Sequence, residues 1–376
     1  MAILRKFTKR FVIITNIVVV ILFLLACLNS YLHPGKWWFI SMLGLIFPLL
    51  LILVFGFFIF WLFFYSRKLS FLSLFALIIG WTNIHAFLAL NISKKTFGPK
   101  SEKALRILTW NVRRWDDFVT RKPAASGHRT KMMEFIRQQN ADVLCLQEFY
   151  EPSNSKILPP SISYIREQLH YPYYFFSRDY VSKKGTLEAG AIIFSRFPIV
   201  DTIRLRYEPD STSTAESLIE ADINVKGKII RICTTHLQSV LFRSKDFRDV
   251  EIIRNVDDSA LEASKSIAKK LKRAFALRGK QADMVRQEID RSPHPLIICG
   301  DFNDVPNSYT YFRIRGDRQD AYLKKGFGIG RTYIHLSPTL RIDYILASKD
   351  FNILQCSKFA LPYSDHYPVI ADVEVQ

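Results

Sequence analysis

The sequence predicts an α/β sandwich with outer helices, carried behind three membrane-spanning helices. Three observations predict it. From residue 105 onward, many short strand-like runs alternate with two or more helical segments, the pattern of stacked strands covered by helices. Several of those runs end in one or two polar residues, as strands do when they deliver side chains to a cleft. Ahead of residue 92, three apolar stretches lie near or above the roughly 20 residues needed to cross a bilayer.

Those stretches are about 11–28, 38–65 and 69–90, within a membrane domain of residues 1–91. The first follows Arg5, Lys6, Lys9 and Arg10, like a signal peptide. Its apolar core is too long for one, and no small-x-small cleavage site follows. The second and third are joined by Ser66-Arg67-Lys68 and read as a helical hairpin, with Trp37, Trp38, Trp61 and Tyr65 as an interfacial belt. The alternative is a buried helical core domain, against which the lack of charge within the spans argues. Six basic residues at the N-terminus and the 66–68 loop face five (Lys36, Lys94, Lys95, Lys100, Lys103) on the other side. Large domains cross largely regardless of charge, so the reading is an integral, multi-pass protein with its N-terminus inside and the folded domain extracytoplasmic.

Residues 92–104 form a polar linker with Gly-Pro punctuation. In residues 105–376 the expected strands are Leu105–Trp110, Asp142–Leu146, Ala189–Phe194, Ile199–Arg206, Leu218–Val225, Lys228–Thr234, Pro295–Cys299, Ile342–Ala347 and Pro368–Val375. Lys226-Gly227 marks a hairpin, and Lys131–Gln139 a helix. Five cysteines without regular spacing argue against a disulfide framework or a zinc site. Residues 241–290 look inserted, and Ser259–Arg286 has helical periodicity. Lys265, Lys269, Lys270, Lys272 and Arg273 cluster on it. They form either an ordinary solvated face or a contact with an anionic membrane or substrate. Residues 1–96 carry nine Lys or Arg and no Asp or Glu, so half of the chain's +18 flanks the apolar stretches. Residues 97–376 remain basic, which favours an anionic partner without choosing one.

The polar strand ends carry the chemistry. Glu148 follows Val143-Leu144-Cys145-Leu146-Gln147 and is placed to meet a hard cation, which prefers oxygen ligands. Asp301 and Asn303, one residue apart after Leu296-Ile297-Ile298-Cys299-Gly300, can face one side. A carboxylate beside an amide can orient a water and bond a phosphate oxygen; an Asx-turn is the plainer alternative. His366, in Tyr363-Ser364-Asp365-His366-Tyr367-Pro368, can carry a proton near neutrality. Asp343, in Arg341-Ile342-Asp343-Tyr344, is the natural orienter of its ring. His236 ends Ile230–Thr235 and Asn111 ends Ile107–Trp110; either alone would pass as structural. Glu188 is offered as the carboxylate partner of His236, the alternative being an unrelated loop carboxylate.

In order and wording the motifs Trp-Asn-Val (110–112), Leu-Gln-Glu (146–148), Thr-His-Leu (235–237), Gly-Asp-Phe-Asn (300–303), Arg-Ile-Asp-Tyr (341–344) and Ser-Asp-His-Tyr-Pro (364–368) resemble the endonuclease/exonuclease/phosphatase superfamily. The resemblance covers about 104–376. It implies the deoxyribonuclease I-like fold, a four-layer α/β/β/α sandwich with one cleft dependent on Mg²⁺ or Mn²⁺. By motif position, Glu148 is implied as principal metal ligand, assisted by Asn111 and Asp365. Asp301 is implied as base or aligner of water, Asn303 as holder of a phosphate oxygen, and His366 with Asp343 as stabiliser of developing charge. His236 stands where deoxyribonuclease- and sphingomyelinase-like members have His and apurinic endonucleases have Tyr. Arg113 stands where apurinic endonucleases carry Asp, which argues against a base-excision repair enzyme and a second metal arrangement.

Three function classes follow. One is a membrane-anchored phosphodiesterase or phosphatase acting on a lipid or head-group phosphate, held at the bilayer with no obligate protein partner. A second is a tethered nuclease degrading DNA or RNA. The third is a catalytically silent scaffold, which the complete motif set disfavours. Arg113, Lys269, Lys270 and Arg273 are the candidate substrate-binding cations.

Overall fold

The computed structural model describes residues 2–91, 97–117, 127–152, 160–182, 185–207, 215–240, 242, 244–255 and 260–375. The first part of the expected linker, 92–96 with Lys94 and Lys95, lies outside the described residues. The chain divides into two compact units. The first comprises Met1–Leu88, Val240–Ala282 and Val305–Arg313; the second comprises Ala89–Ser239, Asp283–Asp304 and Ile314–Gln376.

In the first unit the apolar stretches form α1 (Ala2–Cys27), α2 (Trp38–Leu45), α3 (Phe47–Phe60), α4 (Arg67–Ile79) and α5 (Trp81–Phe87). Helix is the form that lets an apolar segment satisfy its own backbone polar groups. Among the described residues two segments, Lys6–Ser30 and Phe47–Tyr65, are long and apolar enough to cross a membrane. The expected second span is therefore shorter than 38–65, because Pro48 lacks an N–H and opens α3 as a new helix. The expected third span, 69–90, is not one straight helix. α4 and α5 meet at a 63° bend, so the count reaches three only if that bent pair is one span. The bend falls at Gly80, a poor helix former, and residues 89–90 leave the helix to form a strand.

The second unit begins with β1 (Ala89–Leu90), β2 (Leu105–Asn111), α6 (His128–Gln139), β3 (Val143–Pro152), α7 (Ser161–Glu167), β4 (Tyr173–Phe176) and β5 (Tyr180–Val181). It continues with β6 (Leu187–Ser195), β7 (Ile199–Leu205), β8 (Glu216–Val225) and β9 (Lys228–His236). Two long helices follow in the chain, α8 (Ser244–Asn255) and α9 (Ala260–Ile289). After them come β10 (Leu296–Asp301), α10 (Tyr309–Arg315), β11 (Gln319–Asp320), α11 (Ala321–Lys325), β12 (Phe327–Gly328), β13 (Asp343–Ala347), β14 (Phe351–Lys358) and β15 (Val369–Val375). One sheet has the order β14-β15-β2-β3-β6-β4, with β5 also on β6; the other runs β11-β13-β10-β9-β8-β7.

Strand periodicity sorts the side chains. Ile107, Cys145 and Ile193 of one sheet and Ile232, Cys299 and Ile345 of the other share a single buried core. On the outer face of the first sheet, Met132 and Ile136 of α6 pack with Trp110 and Leu144. On the outer face of the second, the end of α9 buries Val285 and Ile289 and brings Glu288 near Glu220. The result is the four-layer α/β/β/α sandwich. All five cysteines are buried free thiols.

That second outer face holds a buried charge cluster. Arg231 lies 2.7 Å from Asp222 and 3.0 Å from Glu220. Burial pushes the Glu220 carboxyl up to about 7, against the pull of Arg231. The folded chain therefore keeps a proton that the unfolded chain has released. Stability from this group is complete below its ordinary value of 4.5 and is lost as pH rises through about 7. Glu220→Gln removes the charge at constant shape and leaves Arg231 paired with Asp222. It should raise stability by on the order of 1 kcal/mol at about pH 8 and by little at about pH 5. Melting curves at the two pH values check this; an equal shift at both would refute it.

Candidate active site

The site is assembled at adjoining strand ends of the two sheets. In the first sheet β2 and β3 run parallel, with Asn111 opposite Gln147. In the second, β9, β10 and β13 set His236, Asp301 and Asp343 in one row, each in register with its neighbour. His366 comes from the turn before β15 and is fixed by a bridge to Tyr333. Gly300 makes the row possible. A Cβ there would stand 2.2 Å from the Thr235 carbonyl oxygen, so the last residue before Asp301 must be glycine.

Backbone irregularity aims Glu148 and Asn303. The β3–β6 register slips between Leu146 and Phe149, and Glu148 takes the left-handed conformation, φ 48°. A bulge of this kind re-aims a side chain at the end of a strand. Asn303 is also left-handed, φ 53°. Its N–H donates to Asp301 Oδ1 at 2.8 Å, and its Nδ2 donates to the Leu237 carbonyl at 3.0 Å. Beneath the site the fully buried Gln147 amide donates to Thr109 Oγ1 at 3.1 Å and to Thr234 Oγ1 at 2.8 Å, which ties the two sheets together.

The polar contacts converge on Asp301. Asn111 Nδ2 donates to Asp301 Oδ2 and to Glu148 Oε1, both at 3.1 Å. His366 Nε2 lies 3.6 Å and His236 Nε2 3.7 Å from the same Asp301 oxygen. His366 Nδ1 reaches Asp343 Oδ2 at 3.0 Å. Trp110 Nε1 donates to the His366 carbonyl at 2.9 Å, and Ser364 Oγ donates to the Asn111 carbonyl at 2.8 Å. The turn carrying His366 is thereby tied to the end of β2.

Electrostatics follow from this packing. Burial works against a charged His366, yet the Asp343 and Asp301 carboxylates outweigh it and hold its pKa well above the usual imidazole value. Burial likewise opposes charge on His236, but Glu216, Asp301 and Glu148 raise it to about 9. Asp301 is pushed up to about 6 by burial, with His366 pulling the other way. A carboxylate near neutrality, beside a charged imidazole, can accept a proton from water.

The structure thus brings together Asn111, Glu148, His236, Asp301, Asn303, Asp343 and His366. Asp365 stands beside them, 3.3 Å from Arg113 Nε. Arg113 also meets Asp116 at 3.4 Å, so part of its charge is spent on two carboxylates. Lys269, Lys270 and Arg273 belong to the first unit, and Lys270 is engaged by Asp246 at 2.6 Å. Glu188 is not the partner of His236, because it sits in β6 and pairs with Arg178 at 3.2 Å. The partner is Glu216, buried, 3.6 Å from His236 Nδ1 and opposite it in the β8–β9 ladder. Counting back from the Lys226-Gly227 hairpin leads to within one residue of Glu216; a bulge between Glu216 and Ile219 supplies the difference. Gln147 is the other residue whose structural part the motif did not announce.

The donor set fits a hard divalent cation. Five carboxylates (Glu148, Glu216, Asp301, Asp343, Asp365) gather with three cationic side chains (His236, His366, Arg113), an arrangement that leaves negative charge to be balanced. Glu148 is the more open carboxylate, with 31% of its side chain exposed against 1% for Asp301. Ligand atoms of Asp301, Asp343 and His366 also lie within 4.8 Å of one another and form a second possible seat. There His366 would have to lose a proton that both carboxylates favour, so the oxygen-rich side at Glu148 is the better match.

Carboxylates, amides and imidazoles at facing strand ends of an α/β/β/α sandwich define a class, the metal-dependent hydrolases of phosphoric esters. The chain belongs to the Endonuclease/Exonuclease/phosphatase family, whose model matches residues 108–366. Residues 9–87 match a domain of unknown function (DUF8431). Solved structures share the fold. An endonuclease/exonuclease/phosphatase from Beutenbergia cavernae is 20% identical, with a TM-score of 0.52 over 73% of this chain and 72% of that one. The human Nocturnin catalytic domain with bound sulfate anion is 18% identical, at 0.50 over 74% and 97%. Humanized D. rerio TDP2 is 17% identical, at 0.50 over 73% and 100%. No curated protein matches the chain.

The His236–Glu216 pair is testable without turnover. In Glu216→Gln the His236 imidazole should titrate below about 9, moving toward 6.5. NMR titration of the histidine ring protons reads this directly, and an unmoved pKa would dissolve the pair.

Proposed function

We propose that this chain is a membrane-anchored, divalent-metal-dependent phosphoester hydrolase whose substrate is a lipid or head-group phosphate. The observation that carries the reading of the site is the Asn111 amide, 3.1 Å from both Glu148 and Asp301, beside the His366–Asp343 pair at 3.0 Å. Glu148 would hold Mg²⁺ or Mn²⁺, with Asp365 and the Asn111 amide as neighbours. A bound divalent cation supplies neutralisation of phosphate charge and orientation of the ester. Asp301, its pKa drawn toward neutrality, aligns the attacking water and takes its proton. His366, kept protonated and oriented by Asp343, meets the charge that develops on the phosphoryl oxygens. The second hydrogen of Asn303 Nδ2 is available to a phosphate oxygen. His236, held by Glu216, adds a further positive charge on the same side. The apolar helices of the first unit support a substrate presented at a bilayer; a tethered nuclease is the competing outcome.

The test uses the full chain in detergent, offered sphingomyelin- and phosphoinositide-bearing vesicles, plasmid DNA and RNA, with Mg²⁺ and with EDTA. Head-group or phosphate release that needs Mg²⁺, with nucleic acid intact, is the expected result; nicking of nucleic acid with lipid untouched would replace it by the nuclease. Asp301→Ala and His366→Ala should each lower kcat by about 10²–10⁴ in a chain that is still folded by circular dichroism. Turnover near wild type in either would sink the assignment. Glu148→Ala should raise the Mg²⁺ concentration for half-maximal activity by roughly tenfold or more; an unchanged Mg²⁺ profile would remove it from the ligand set.

A further inference from the structure

The two units share the chain's charge very unequally. The first holds 19 Lys and Arg against 6 Asp and Glu, a net +13 of the chain's +18. The second, with the candidate active site, holds 33 against 28 and is only +5. The basic excess therefore lies in the unit that carries the apolar helices.

Within the first unit it is concentrated on α9. Residues 265–280 contain seven Lys or Arg and no Asp or Glu. Lys270 is tied to Asp246 and Arg278 is buried. Lys265, Lys269, Lys272 and Lys280 are exposed, and none forms an ion pair among the described residues. At about 100° per residue these four fall within roughly 80° of arc, one face of the helix. Arg273 is exposed beside them.

That face lies at the level where α1 and α2 turn. Gly279 rests on the connecting loop so closely that a Cβ would stand 2.7 Å from Pro34 Cγ. Lys272 Nζ sits 5.2 Å from the centre of the Trp38 ring, at the first residue of α2. Trp37 next to it is 42% exposed. Indole rings beside the end of an apolar helix mark the head-group level of a bilayer, and a lysine face at that level has anionic head groups as its natural counter-charge.

We propose that Lys265, Lys269, Lys272 and Lys280 of α9, with the Trp37–Trp38 pair, form a docking face for an anionic lipid surface. The proposal goes beyond the reading of the active site and holds whichever ester is cleaved. Its readout involves no turnover, so either can fail alone.

The experiment uses the full chain in neutral detergent with mixed phosphatidylglycerol and phosphatidylcholine, and measures each lipid retained per chain after gel filtration. Wild type should retain phosphatidylglycerol preferentially, and the preference should fall steeply with salt. Each Lys→Gln change should lower the preference by roughly fivefold, the effect of one charge near a lipid surface, and all four together by well over tenfold. The fourfold Lys→Arg variant should keep it. A control that neutralises Lys228, Lys324, Lys325 and Lys349 of the second unit should also keep it. A wild type without preference, a Gln series that retains it, or an equal loss in the control would overturn the proposal. So would displacement by free glycerophosphoglycerol at the concentration of the lipid, which would mean a phosphate site. A single-stranded oligonucleotide that binds through these lysines, with lipid retention unaffected by their loss, would assign the face to nucleic acid instead.

Discussion

One side-chain amide joins the two sheets at the point where the chemistry is placed. Asn111 closes β2 in the first sheet, and its nitrogen is shared between Glu148 of that sheet and Asp301 of the other. A sandwich core is non-directional and tolerates small slips between its layers, whereas a shared donor does not. The same junction is braced from below by Gln147, which bonds threonines on both sheets. It is closed on the side of β15 by Ser364, through the Asn111 carbonyl.

The second constraint is charge. A carboxylate taken out of water is costly unless it is paired, and this site buries Asp301 and Asp343 almost completely. The two imidazoles are the local answer. Each is buried, and each is held in its charged form by a carboxylate on its far side, Asp343 for His366 and Glu216 for His236. Their near sides face Asp301. The compensation is incomplete when Glu148 and Asp365 are included, and a site left partly anionic has a use for a hard cation.

Irregular backbone is concentrated at the same place. Arg113–Asp116, Glu148 and Asn303 all have positive φ without being glycine, a conformation that costs energy and persists when the surroundings over-determine it. Here the surroundings are hydrogen bonds: the Asn111 side-chain oxygen accepts the Arg113 N–H, the Glu216 carboxylate accepts the Glu148 N–H, and Asp301 accepts the Asn303 N–H. The polar network thus holds strained loops in place as well as balancing charge.

Local elements and the chemical inventory are legible in the order of the amino acids alone. Apolar runs ending in Asn111, Glu148, His236 and Asp301 announce strands, because period and composition are local properties, and the order of motifs names the family. What depends on distant parts of the chain becomes visible only once the chain is folded. Glu216 meets His236 only through the β8–β9 register and its bulge, so residue type alone pointed to Glu188. The 69–90 stretch has the hydropathy of one span, but hydropathy carries no direction, and the chain bends by 63° at Gly80. Along the chain, residues 97–376 form a basic stretch. In three dimensions residues 240–282 join the apolar helices and take much of that charge with them, since contact, not sequence order, defines a unit.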